Sequence, residues 1–261
     1  MVWLCSGWPS DERRGDSVVG LGQARPGTGL SGSLPIVPRR TCTAGGRLCR
    51  HGLSREDKSI EAPFCRRYGQ PFEVEITGEF ECTNCREMKL RFEFARGVMR
   101  GSAEMMDAVH RFKYQQALWL EPLFRRLFAE MAVEQIRSWR GDCLVPVPLH
   151  PVRFRERGFN QAETLCRNLS HDTGLMVLTR AVKRIRVTRT QALLSREERL
   201  ANMRGAFAPA KMNLNDKRVV LVDDVLTTGA TTNECASACL KAGAAAVCVW
   251  TLARALGSPS N

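Results

Sequence analysis

Several features are missing from this sequence of 261 residues, and each absence removes a class of protein. No run of about 18 apolar residues occurs, so no segment is expected to span a membrane. The most apolar stretch, 242–252, is too short and follows Lys241. The start, Met1-Val-Trp-Leu-Cys5, has no basic segment and its apolar run stops at Ser6-Gly7, unlike a secretory signal. The expectation is a cytoplasmic protein with no membrane insertion. Its 11 cysteines should then be thiols, reporting metal binding or core packing rather than disulfides.

Residues 1–60 lack any stretch that keeps a helical or strand period, and are rich in Gly, Arg, Ser and Pro. Gly20-Leu-Gly22 is no dinucleotide loop, because no strand precedes it and no helix follows. The region is expected to be disordered, or a non-native extension from a wrongly chosen start. Peptides from before Arg50 in the native protein would exclude the second idea. The formal net charge of +12 favours polyanionic partners, nucleic acid or phosphorylated small molecules, although a basic surface kept for solubility would look the same.

Residues 61–95 carry a cysteine module. Cys65 stands in Phe64-Cys65-Arg66-Arg67-Tyr68-Gly69, and Cys82-Thr-Asn-Cys85 follows. Two thiolates on one tight knuckle suit a tetrahedral zinc site. A second pair is missing, because the position three after Cys65 is Tyr68, and Cys42, Cys49 and His51 lie at unconvincing spacings. Two readings stay open: a zinc site on Cys65, Cys82 and Cys85, and a decayed ribbon that packs without metal.

From Ala103 the pattern becomes regular. Met105, Met106, Val109 and Phe112 fit an amphipathic helix, and a longer one is expected over 122–139 with Leu123, Leu127, Met131 and Ile136 on one stripe. Strands are expected at 143–147, 175–178, 218–222 and 245–251, with helices over 159–172 and 231–242, the last ended by Gly243. Apolar strands alternating with helices imply a parallel sheet covered on both faces, with ligands beyond the strands' carboxyl ends.

The most informative segment is Val219-Val-Leu-Val-Asp-Asp-Val-Leu-Thr-Thr-Gly-Ala-Thr-Thr232. Gly229 permits the reversal and close approach that a Cβ would block. The N–H groups of Thr227, Thr228, Gly229, Ala230 and Thr231 can then converge on one anion at a helix amino terminus. Asp223 and Asp224 would repel an isolated phosphate, so their place beside such a nest needs a reason. A ribose supplies it, since its 2′- and 3′-hydroxyls can donate to carboxylates while its 5′-phosphate sits in the loop. Read otherwise, the acids are a solvated strand end and the threonines are helix caps.

A second anion site is expected at the turn after the 143–147 strand, where Arg153, Arg155 and Arg157 can match diphosphate oxygens bidentately. Arg189 and Gln191 open a third polar segment that runs through a helix to Gly205-Ala-Phe207.

The acid-pair loop resembles that of type I phosphoribosyltransferases. In combination with Phe-Lys-Tyr at 112–114, Val-Pro-Val-Pro at 145–148, Arg-Gly-Phe-Asn-Gln at 157–161 and Arg-Thr-Gln at 189–191, residues 62–254 resemble the ComF family of competence-associated proteins. The resemblance implies a type I phosphoribosyltransferase-like α/β domain over 96–256 behind a small, degenerate zinc-ribbon module. It also implies 5-phosphoribosyl 1-diphosphate with Mg2+ as ligand, Zn2+ in an intact ribbon, and a link to single-stranded DNA and the competence machinery. Tyr68 departs from the family pattern, which usually has cysteine there.

Two function classes follow. In the first, a transferase, a nucleophile displaces diphosphate from the anomeric carbon; Asp223, Asp224 and Arg155 are the expected catalytic residues, and no general base is assigned. In the second, a non-catalytic protein keeps the pocket for ligand sensing and grips single-stranded DNA by its backbone. The span 151–204 holds twelve Lys/Arg against five Asp/Glu but few aromatics, which favours backbone contact over base readout.

Overall fold

A computed structural model describes residue 60 and residues 62–72, 81–188 and 195–255. The core is a five-stranded, all-parallel sheet in the order β1-β7-β6-β2-β3. Its strands are β1 (Ala95–Arg100), β2 (Cys143–Pro146), β3 (Met176–Val177), β6 (Arg218–Leu226) and β7 (Ala246–Arg254). Every residue of β2 and β7 is buried, because both faces are covered; β2 is wholly apolar, and β7 is apolar but for Thr251 and Arg254. The expected parallel α/β architecture is present.

One face is covered by α2 (Ala103–Tyr114), α3 (Glu121–Met131), α4 (Val133–Ser138) and α6 (Gln161–Thr173), around Phe112, Phe124, Phe128 and Trp250. The other carries α8 (Ala230–Lys241) and α7 (Arg196–Met203), together with an antiparallel pair, β4 (Val182–Arg184) and β5 (Phe207–Pro209). The cysteine segment, with α1 (Thr83–Glu87), is no separate lobe. Cys65, Tyr68, Cys82, Cys85, Met88 and Phe92 share one buried cluster with Cys235 and Ala236 of α8.

Four local expectations are corrected. The helix expected over 122–139 is two, divided at Ala132, which ends α3 and begins α4. The strand expected at 218–222 runs on to Leu226, so both aspartates are strand residues paired alongside β7. The arginine-rich turn is a helix, α5 (Pro151–Arg157), with Pro151 in its first turn and Gly158, at φ +78°, closing it. Edge strand β1 and the β4–β5 pair were not anticipated. Gly243 does end α8, at φ +98°.

No helix among the described residues is long and apolar enough to cross a membrane. All eight cysteines among them are buried thiols: Cys143, Cys166, Cys235, Cys239 and Cys248 in the core, and Cys65, Cys82 and Cys85 in a cluster. Residues 1–59, with Cys42, Cys49 and His51, and the candidates Arg189 and Gln191 lie outside the described residues.

Candidate functional site

Of the adjacent parallel strands β2 and β6, β2 ends at Pro146 opposite Val222 while β6 runs on to Leu226, and the chain leaves each for a helix, which opens a cleft at their carboxyl ends. A cavity of about 310 Å3 occupies it. Its lining falls into two sets by chemistry, an acid and hydroxyl side of Asp223, Asp224, Thr227 and Thr231 and a basic side of Arg153, Arg157, Arg184 and Arg199. The acid pair and the glycine-turn threonines thus share one space.

Thr227, Thr228 and Gly229 make the whole connection from β6 to α8. Gly229 stands at φ +71° as the N-cap of α8, and no side chain caps the helix. The first-turn N–H groups of a helix have no partner within it, so this end offers donors and positive dipole to an anion. The Thr228 hydroxyl is buried there without a hydrogen-bond partner.

Successive strand residues face opposite ways, and the two acids meet different neighbours. Asp224 is buried and pairs with Lys113 of α2, Oδ1 to Nζ at 2.8 Å. Asp223 keeps some surface open to the cavity but is crowded by protein. Its Oδ1 accepts the N–H of Asp224 at 2.9 Å. Burial, and then the Asp224 carboxylate, push its pKa up to about 7, against the pull of Lys113 and Arg184.

On the basic side, Arg157 is held rigidly. Its Nη1 donates to Gln161 Oε1 and its Nη2 to the Tyr114 hydroxyl, each at 3.0 Å, with the guanidinium 4.8 Å from the Tyr114 ring centre. Arg153 sits one turn earlier on the same face of α5. Arg155 falls on another face and, with Phe154 and Glu163, lines an adjoining depression that shares Leu149 and Asn160 with the cavity. Arg184 of β4 lies over the Phe207 ring at 5.5 Å and donates to Thr188.

Sequence reasoning missed Lys113, Tyr114 and Arg184 as site residues. The first two stand in the Phe-Lys-Tyr triplet at 112–114, which gave no chemical signal by itself because their partners, Asp224 for Lys113 and Arg157 for Tyr114, are far along the chain. Arg184 is one of several cations at 180–186, and only the β4–β5 pairing aims it.

Behind the loop lie the three cysteines, Cys65 Sγ to Cys85 Sγ at 3.5 Å and Cys82 Sγ to Cys85 Sγ at 3.7 Å. These three sulfurs are the one group of at least three His, Cys, Asp or Glu ligand atoms, among the described residues, gathered closely enough for a metal. Cys65 is held far below an ordinary thiol, at about 4, chiefly by its hydrogen bond with Cys82, whose own pKa rises.

No family model matches the chain. Competence protein F of Haemophilus influenzae is 32% identical over 86% of this chain and 94% of its own. DNA utilization protein YhgH of Escherichia coli K12 is 32% identical over 78% of this chain and 87% of its own. Among solved structures, a purine phosphoribosyltransferase from Pyrococcus horikoshii matches at 17% identity over 55% of this chain and 93% of its own, with a TM-score of 0.32.

Proposed function

From the premise that the chain belongs to the competence protein F (ComF) family, we propose that its cavity binds 5-phosphoribosyl 1-diphosphate and transfers the phosphoribosyl group to an acceptor. The single observation that carries this reading is that Asp223, Asp224, Thr227 and Thr231 line the same cavity as Arg153 and Arg157. The 5-phosphate lies against the Thr227–Thr231 amides and hydroxyls. The carboxylates of Asp223 and Asp224 accept from the ribose hydroxyls, and the diphosphate reaches across to Arg153 and Arg157.

In the transfer, the anomeric C–O bond breaks, the electron pair leaves with diphosphate, and the acceptor's lone pair forms the new bond to carbon. Asp223 and Asp224 face the ring as positive charge grows on it, and the arginines face the oxygens that gain negative charge. In this reading Arg155, which lines the adjoining depression, is left outside the step. Hard oxygen donors suit Mg2+, and the two aspartates fit that ion, which supplies charge neutralisation for the diphosphate when bound. The thiolates of Cys65, Cys82 and Cys85 suit Zn2+ as three of its four ligands. Sustained diphosphate release from phosphoribosyl diphosphate and Mg2+ with one acceptor, over a panel of acceptors, is the expected result. Tight binding with no release would reject the transfer step.

A second reading is favoured by the net charge of +12 and by arginines on α5 and α7 around the mouth of the cavity. Here the cavity senses its ligand without chemistry, and the basic surface holds single-stranded DNA by its phosphates. Binding that weakens steeply with added salt supports it, because each phosphate contact releases a counterion; salt-insensitive binding rejects it.

A further inference from the structure

Tyr68 stands three residues after Cys65, where the second thiolate of a C-x2-C pair would fall, and its backbone still makes a tight knuckle around that sulfur. Its N–H donates to Cys65 Sγ at 3.4 Å, and the N–H of Gly69 donates to the Cys65 carbonyl at 2.7 Å. Its side chain does not join the sulfurs. The ring is fully buried against the loop between β6 and α8, and its hydroxyl donates to the Thr227 carbonyl at 3.0 Å. It lies so close to Gly229 that a Cβ there would stand 3.0 Å from a ring carbon and from the hydroxyl oxygen.

The ring is itself clamped. The Arg254 guanidinium lies 4.3 Å from its centre, and Arg254 Nη1 donates to the Tyr68 carbonyl at 2.6 Å. Arg254 Nη2 donates to Gln70 Oε1 at 3.0 Å. Burial pushes the phenol's pKa up to about 12, so it stays a neutral donor at working pH.

A planar trans peptide points its carbonyl and its N–H in opposite directions. Holding the Thr227 carbonyl toward the buried ring therefore turns the Thr228 N–H away from it, and the ring fills the space beneath Gly229. We infer that Tyr68 is a positioning residue for the phosphate loop: it sets the Thr227–Thr228 peptide so that the Thr228 amide faces a ligand's phosphate. This rests on the reading of that loop as a phosphate cradle. It gives the position a task in place of metal ligation, and makes the cysteine segment part of the ligand site's scaffold.

The test is calorimetric titration of the full chain with ribose 5-phosphate and, separately, inorganic phosphate, alongside thermal unfolding. Tyr68→Phe keeps the ring and removes one hydrogen bond. It is expected to weaken both probes by a similar factor, roughly tenfold, the upper range for one such bond. A purely structural role would lower the unfolding temperature and leave both affinities, measured well below it, unchanged. Gln70→Ala, which loosens Arg254 against the ring, should give a smaller loss of the same sign, and it decides the matter if Tyr68→Phe does not fold. Wild-type binding with both variants within about twofold of it overturns the role of Tyr68 alone. A wild-type protein that binds neither probe overturns the phosphate-loop reading, and this inference with it.

Discussion

The two sides of the cavity are built by different means, and the difference explains why one was readable from sequence. The acid and phosphate side is a continuous run: strand, carboxylate pair, three-residue turn and helix, all between Arg218 and Lys241. Its donors are largely backbone amides, placed by a glycine and a helix start that the sequence announces. The basic side is assembled from α5, β4 and α7, and its donors are long side chains aimed by tertiary packing. There the residue types could be named, but not which of them point inward.

The comparison breaks most sharply at the carboxylates. Asp223→Asn with Asp224→Asn is expected to weaken phosphoribosyl diphosphate by on the order of a hundredfold or more, since hydrogen bonds to charged groups contribute about 1.5–3 kcal/mol each. Asp224→Asn also leaves Lys113 without its 2.8 Å partner. Calorimetry reads the affinity, and circular dichroism should show the fold retained. An unchanged affinity in the double variant would refute the sugar-binding assignment.

The basic side sharpens next. Arg157→Ala should weaken the diphosphate-bearing ligand by roughly ten- to a hundredfold, the range for one charge-assisted contact. It should weaken ribose 5-phosphate much less. Arg155→Ala should stay within about twofold for both, as a surface cation outside the cavity. The reverse order would show that the diphosphate sits over the depression at Phe154 rather than over Arg157.

That contrast also marks how much was legible. The parallel α/β architecture, the loop after β6 and the end of α8 at Gly243 follow from apolar periodicity and two glycines, Gly229 and Gly243, all local signals. Helix α5 was missed although Pro151 and Gly158 are ordinary start and stop signals for a helix. Once it is a helix, Arg153 and Arg157 fall four apart on one face and Arg155 does not, so a change of period reassigns the site. Lys113 and Tyr68 were not legible as site residues, because each acts on a partner more than a hundred positions away in the chain. The break at Ala132 was hidden for another reason: the apolar stripe continues through it, with Leu127, Phe128 and Ile136 all buried.

A smaller effect is expected from Gly229→Ala. The φ of +71° is strained for any residue with a Cβ, and here that atom would also press on the Tyr68 ring. Unfolding measurements should show a loss of about 1–3 kcal/mol. Phosphate affinity should fall as well, because relief of either strain moves the amides. Gly205, also at positive φ (+67°) but with open space around its Cβ position, is the control; Gly205→Ala should leave phosphate affinity unchanged.

The smallest effect is one of pH, and it isolates Asp223. Asp223 titrates near 7 in the folded chain, against about 4 for an exposed aspartate. Accepting hydrogen bonds from ribose hydroxyls requires the carboxylate, so affinity for ribose 5-phosphate should rise by about tenfold from pH 6 to pH 8 as Asp223 ionises. The ligand's own phosphate titrates near 6 and contributes a factor of about two. Asp223→Asn removes the larger part and leaves the smaller, which isolates the residue. Stability runs the other way. A raised folded-state pKa means that the native chain holds the proton more tightly than the unfolded chain, so the contribution of Asp223 is full below about pH 4 and is lost as pH climbs through about 7. Relative to Asp223→Asn, the wild type should therefore lose stability between pH 5 and pH 8 while gaining ligand affinity over the same interval. A site acid that costs stability where it binds is a functional group held in place by the fold. If wild type and variant unfolded in parallel across that interval, Asp223 would be an ordinary solvated carboxylate, and the acid side of the cavity would lose its special standing against the basic side.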